Sequence, residues 1–157
     1  MTTIAGTTPL PAPPKPSVVR LYERFTNILE KLQPIAGLAM RLYVGKVFLL
    51  SGWLKVSRWD STIALFENEY HVPLLSPHLA AIMGAAGELG FSTLLVLGLG
   101  SRAAALGLFF VNAVAVISYP DLSPAGMKDH VLWGALLLVV AIYGPGRISA
   151  DRAIGLH

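Results

Sequence analysis

The sequence contains no cysteine, and this absence excludes several kinds of chemistry. Without a thiol, the chain has no disulfide framework, no CxxC redox pair, no thiolate metal ligand and no cysteine nucleophile. A redox role would therefore need a cofactor or a partner protein. The GxGxxG, Walker and GxSxG motifs of soluble enzymes are also missing from the sequence.

Charged residues are scarce as well, at 13% of the 157 residues, whereas hydrophobic residues make up 54%. So few charges cannot cover the surface of a soluble domain, and this composition favours the lipid bilayer as the solvent. The twelve Lys and Arg residues are dispersed, with no basic run or interleaved aromatic patch, so the sequence indicates no nucleic-acid partner.

The first 33 residues divide into two segments. Residues 1–17 are rich in Pro and Thr and lack the apolar core of a signal peptide, so they are predicted to be a disordered tail. Residues 18–33 place apolar side chains such as Leu21 and Phe25 on one helical face, opposite charged side chains such as Glu23 and Arg24. This pattern predicts an amphipathic helix at the membrane interface.

The remaining chain, residues 34–154, is predicted to be one membrane domain. Four apolar segments are each long enough to cross a hydrocarbon layer of about 30 Å. They cover residues 35–56, 76–99, 102–119 and 123–143. Two of them begin with Ser-Pro, at residues 76–77 and 123–124, which is typical of an N-cap followed by the first helical residue. The predicted fold class is an all-α membrane protein, a four-helix transmembrane bundle with an N-terminal amphipathic helix.

The connection over residues 57–75 is too interrupted for a span and is predicted to be a loop on the membrane surface. The Lys and Arg residues near the span ends predict the orientation. One side carries Lys15, Arg20, Arg24, Lys31, Arg102, Arg147 and Arg152, and the other carries Lys55, Arg58 and Lys128. This asymmetry predicts that both termini are cytoplasmic and that residues 57–75 and 120–123 are periplasmic.

Each span places a polar residue on its small-residue face: Arg41, Glu88, Asn112 and His130 in chain order. A charge at the bilayer centre costs at least ~2.5 to 3.5 kcal/mol, so Glu88 is predicted to be paired, protonated, or both. Arg41 is the favoured partner. Lys46 matches Glu88 better in depth but lies about 140° around the helix from Arg41, which favours a snorkelling or subunit-contact role. A Glu88–Arg41 pair would serve a ligand, quinone or proton site, or would only fix the helix register.

The histidines form a second set of candidates. Imidazoles bind Zn, Cu and haem iron, but no HExxH or HxxxH spacing is present, so His71 and His78 are interpreted mainly as headgroup-level residues. His130 is predicted to lie inside the fourth span, near the depth of Asn112. It would form either a hydrogen bond to Asn112 or a contact with a quinone carbonyl. As metal ligands, His71, His78 and His130 remain weak candidates.

Three segments of the sequence resemble the DoxX family of small four-span membrane proteins. These are RLYVGKVFLLSGWLK at 41–55, AAGELGFSTLLVLGLGSRAAALGLF at 85–109 and GPGRISAD at 144–151. The resemblance covers about residues 34–154. It implies a bacterial inner-membrane location and association with oxidoreductase modules, including quinol oxidase and thiosulfate:quinone oxidoreductase types. Some relatives belong to oxidative-stress complexes.

Three functions follow as hypotheses. The first is an accessory subunit that supports an oxidoreductase or stress-response complex. The second is a quinone-reactive subunit in which His130, Asn112 and Glu88 contact the quinone. Quinone is the one cofactor that these hypotheses include. The third is a small transporter or metal-handling protein. The sequence leaves open whether the chain is an enzyme, which protein is its partner and whether it forms a homo-oligomer.

Overall fold

A computed structural model describes residues 16–156, and all regular structure in this range is helical. The helices are α1 (Ser17–Ser57), α2 (Trp59–Asn68), α3 (Pro77–Leu97), α4 (Ser101–Ser118), α5 (Pro124–Tyr143) and α6 (Ala150–Ala153). Residues 1–15 of the predicted tail lie outside the described residues. The all-α fold class is confirmed.

Residues 16–156 divide into two compact units, with the boundary between Leu32 and Gln33. The predicted amphipathic segment is helical where it is described, and its placement at a membrane surface stays a prediction. Helix α1 contributes to both units and contains Pro34, where the sequence indicated a boundary between two helices.

Four helices, α1, α3, α4 and α5, are long and apolar enough to cross a membrane, as predicted. The starts of α3 and α5 follow the Ser-Pro signals. The Ser76 hydroxyl accepts a hydrogen bond from the Leu79 N–H at 3.4 Å, and the Ser123 hydroxyl accepts one from the Gly126 N–H at 3.1 Å. The predicted start of the fourth span is therefore confirmed.

Helix α2 corrects the prediction of a loop over residues 57–75. Thr62 and Phe66 are four residues apart and both buried, so they form one helical face. This face packs with Ala80 and Ala81 of α3. Helix α2 is too short to span a membrane, as expected. The i,i+4 spacing of its buried residues is typical of a helix that packs against the bundle, not of a loop.

The second unit is held together by a core that α1, α3, α4 and α5 share, and small residues bring its helices close together. A methyl group added to Gly52 would lie 2.9 Å from the Leu89 side chain, and one added to Gly134 would lie 3.3 Å from the amide nitrogen of Asn112. We call the end of this unit that holds residues 98–101 and 144–153 the arginine end. The histidine end holds residues 69–76 and 119–123.

Candidate functional site

The centre of the candidate site is an ion pair between α1 and α3. Glu88 lies midway along α3, and its side chain is 8% exposed. The Lys55 ammonium lies 2.9 and 2.8 Å from the two Glu88 carboxylate oxygens and 2.8 Å from the Ser51 hydroxyl. An ammonium has three N–H donors, so these contacts satisfy it fully. The two opposite charges are thus compensated inside the bundle.

The predicted pairing of Glu88 with Arg41 is wrong, and the axial offset between the helices explains why. Gly52 packs against Glu88, because a methyl group added to this glycine would lie 3.0 Å from the Glu88 Cβ. Lys55, one turn further along α1, therefore reaches the carboxylate, whereas Arg41 lies beside Gly98 at the arginine end. Lys55 shares the small-residue face of α1 with Arg41, so a sequence signal for it was present.

Lys46, the other candidate that was considered for its depth, is not the partner of Glu88 either, and it is not among the buried polar residues. Its side chain is exposed on α1. The neighbouring Gly45 packs against Val96, one residue before the end of α3. The snorkelling role, in which the Lys46 stem follows apolar surface and the ammonium reaches the interface, stays a prediction.

Arg41 is buried, with 3% exposure, and it binds the backbone near the C-terminus. Its two terminal nitrogens donate to the carbonyl oxygens of Pro145 and Ile148, both at 3.0 Å. These bonds tie α1 to the segment that follows α5.

Asp151 completes the arginine end, and the sequence reasoning did not single it out. Its carboxylate accepts hydrogen bonds from the backbone N–H groups of Gly100, at 2.6 Å, and Ser101, at 2.9 Å. Burial alone would raise the pKa of Asp151, but these hydrogen bonds and the charge of Arg41 outweigh it and hold the pKa below its ordinary value. The carboxylate thus caps the N-terminus of α4.

Asn112 and His130 join α4 to α5 through a hydrogen bond, which was one of the two predicted alternatives for His130. The Asn112 carbonyl oxygen lies 2.7 Å from Nδ1 of His130, and the Asn112 amide donates to the His130 backbone oxygen at 3.0 Å. His130 packs edge-on against Trp133 and is half-buried.

A cleft of about 420 Å³ leads to the ion pair. Its wall is mainly apolar and comes from α2, α3, α4 and the loop after α2, with Lys55, Glu88 and Tyr70 as its polar residues. The α3 and α4 residues Met83, Phe110 and Ile117 line it and are exposed on the outer surface of the helices. The cleft therefore opens sideways, where lipid would surround the bundle. Asn112 and His130 do not line it, so the predicted quinone set is divided.

Three aromatic rings stack at the histidine end, and two of them, Phe66 and Tyr70, line the cleft. Tyr70 lies between Phe66 and Tyr119, with ring centroids 4.8 and 5.1 Å apart, and the Tyr119 hydroxyl donates to Glu69 at 2.8 Å. Burial, and then the charge of Glu88, raises the pKa of Tyr70, so its phenol stays protonated at neutral pH. No hydrogen bond among the described residues uses the Tyr70 hydroxyl, which leaves it as a donor.

The remaining histidine candidates lie at the surface. His71 and His78 are exposed, and the His78 ring packs edge-on against Trp59. Within residues 16–156, no group of three or more His, Cys, Asp or Glu residues is arranged to hold a metal ion.

Comparison with known proteins places the chain in a family. The DoxX family model matches residues 36–120, more than half of the chain. The chain belongs to the DoxX family. It is similar to inner membrane protein YphA of Escherichia coli strain K12, at 33% identity over 131 residues that cover 76% of this DoxX chain and 91% of YphA. No solved structure matches it.

The polar contacts connect the three segments that carry the DoxX resemblance. Lys55, in the first segment, pairs with Glu88 in the second. Arg41 of the first segment and Ser101 of the second both bond to the third, at Ile148 and Asp151. In this DoxX protein the segments therefore form one connected framework, with the cleft on its side.

Proposed function

We propose that this protein is an inner-membrane accessory subunit that binds a quinone-class molecule in the lateral cleft on behalf of an oxidoreductase complex. The observation that carries the proposal is that the cleft, open towards lipid, leads to the Lys55–Glu88 pair. YphA, which is similar to this chain, is named an inner membrane protein, and this supports the location.

The cleft has the properties of a site for a lipophilic molecule with a polar head. Its volume is within the usual range for small-molecule sites, and apolar walls with a few polar groups are typical of them. A quinone carbonyl needs a hydrogen-bond donor, which the protonated Tyr70 phenol supplies. Ionisable residues inside a membrane domain commonly mark substrate or proton pathways.

The accessory role follows from what the quinone would need. A quinone accepts electrons from a donor group, and the chain has no cysteine to supply thiol redox chemistry. The electrons would therefore come from a partner protein or its cofactor, with this subunit positioning the quinone in the membrane. An oxidoreductase or stress-response complex would provide such a partner.

A matched pair of glycine variants on α3 tests the proposal. Gly84 lines the cleft, and an added methyl group would only touch the Phe66 ring at 3.5 Å, so Gly84→Leu should fill the cleft without breaking a helix contact. Gly90 is exposed and faces open space, so Gly90→Leu is the control on the same helix. The protein is purified in mild detergent, and the bound quinone is extracted and quantified by mass spectrometry.

Wild-type protein and Gly90→Leu should carry quinone, and Gly84→Leu should lose most of it. Wild-type protein without quinone, or equal retention by both variants, would rule out the cleft as a quinone site. A soluble oxidoreductase that co-purifies with all three proteins would support the accessory role separately.

A further inference from the structure

A second pocket, of about 460 Å³, lies at the arginine end. The side chains of Arg102, Arg147 and Arg152 line it, and we call it the arginine pocket. Tyr143 and Leu156 give it an apolar side, and both are largely exposed. The pocket therefore combines three cations with apolar surface at the ends of two predicted spans.

Within residues 16–156, the lining of this pocket keeps a net positive charge, because it contains three arginines and one carboxylate. Asp151 is the one acidic residue in its lining, and both carboxylate oxygens already accept backbone N–H groups. Within residues 16–156, no salt bridge or side-chain hydrogen bond engages the guanidinium groups of Arg147 and Arg152. Arg102 donates one N–H to the Ile142 carbonyl at 3.0 Å, which holds its side chain against the end of α5.

We propose that the arginine pocket binds a phosphate group, and we assign this phosphate to the head group of an anionic phospholipid. Guanidinium groups bind phosphate oxygens with two parallel hydrogen bonds, and three of them around one pocket suit a single anion. The apolar side suits the glycerol and the first acyl carbons of a lipid. Basic residues at the ends of spans attract the head groups of anionic lipids. The proposal does not depend on what binds in the lateral cleft.

Two double variants distinguish lipid binding in the arginine pocket from a general attraction of anionic lipid to positively charged protein. Arg147→Gln/Arg152→Gln removes two cations from the pocket, and both residues are exposed, so folding should be retained. Arg58→Gln/Lys128→Gln removes two exposed cations from the opposite end and is the matched control. Each protein is placed in nanodiscs of phosphatidylcholine, with or without phosphatidylglycerol, and its retained lipids are measured by native mass spectrometry.

The wild type and the control should retain phosphatidylglycerol in preference to phosphatidylcholine, and the pocket variant should lose this preference. Equal loss in both double variants, or no preference in the wild type, would overturn the lipid assignment.

Inorganic phosphate, added to protein in phosphatidylcholine nanodiscs, tests the other source of phosphate. If inorganic phosphate raises the melting temperature of the wild type but not of the pocket variant, and the wild type retains no phosphatidylglycerol, the pocket binds a soluble phosphate compound. No effect of either probe would overturn the proposal.

Discussion

Three cationic side chains of α1 reach three different environments within fifteen residues. Arg41 is buried and donates to backbone carbonyls, Lys46 is exposed, and Lys55 binds a carboxylate. The contacts of Arg41 and Lys55 avoid an uncompensated charge inside the bundle, which would cost several kcal/mol. The Lys55–Glu88 pair is the one in which removal of either residue leaves the opposite charge inside the bundle.

At this scale, Lys55→Met and Glu88→Gln should each destabilise the protein, by about 3 kcal/mol, because each leaves a buried charge without its partner. The double variant Lys55→Met/Glu88→Gln should be more stable than the sum of the two effects predicts. Unfolding in detergent, followed by circular dichroism, measures the three differences.

Lys46→Met is the control for the loss of a lysine from α1, and it should leave the unfolding free energy nearly unchanged because Lys46 is exposed. Additive effects of the two single variants would contradict the pairing. So would a loss for Lys46→Met as large as that for Lys55→Met.

At the scale of elements, the short helix α6 acts on a much longer one. The residue before α4 is Gly100, which has no side chain to cap the helix. Asp151, the second residue of α6, supplies the missing acceptor, and its own backbone N–H donates to the Gly98 oxygen at 2.8 Å. The turn between α3 and α4 therefore depends on residues fifty positions later in the sequence.

Asp151→Asn should lower the stability of the protein by about 1–3 kcal/mol at neutral pH, because an amide presents one acceptor where the carboxylate presents two. The pKa of Asp151 is lower in the folded state than its ordinary value of 3.8, so its contribution is complete above 3.8. That contribution is lost as the pH falls through the folded pKa. The difference in melting temperature between wild type and Asp151→Asn should therefore shrink below pH 3.8.

The control is Asp121→Asn, which changes an exposed aspartate in the loop between α4 and α5. It should leave the melting temperature nearly unchanged. A difference between wild type and Asp151→Asn that stays constant down to the lowest pH would show that the carboxylate charge is not used in the cap.

For the whole molecule, the predicted orientation depends on the distribution of cations between the two ends. Arg102, Arg147 and Arg152 gather at the arginine end, and Arg58 and Lys128 belong to the opposite side of the spans. Lys55 was counted with the second group, but its charge is taken up by Glu88. A cytoplasmic arginine end, inferred from the count of Lys and Arg on each side, stays a prediction.

Single cysteines test this orientation against a background without native thiols. Asp121→Cys and Ala153→Cys both place the thiol at an exposed position, on opposite sides of the predicted membrane. In intact spheroplasts, an impermeant thiol reagent should label Asp121→Cys and spare Ala153→Cys until the cells are opened. The reverse result would invert the topology.

The sequence alone determined the four spans, the starts of α3 and α5 and the polar residue on each packing face. These features depend on local signals. The length of an apolar run, a Ser-Pro cap and the spacing of small residues are properties of one segment, whatever its neighbours do. The pairing of Asn112 with His130 was also within reach, because the cap at Ser123 places His130 at the right depth.

The tertiary structure decided which charge meets Glu88, where the cleft opens and what Asp151 binds. Periodicity shows which way a side chain points around its helix, but the offset of two helices along their axes is set by the sum of their contacts. On α1, the close fit of Gly52 against Glu88 and Leu89 moves Lys55 to the carboxylate and Arg41 to the arginine end. The cap that Asp151 provides joins residues fifty positions apart, and no local pattern contains that information.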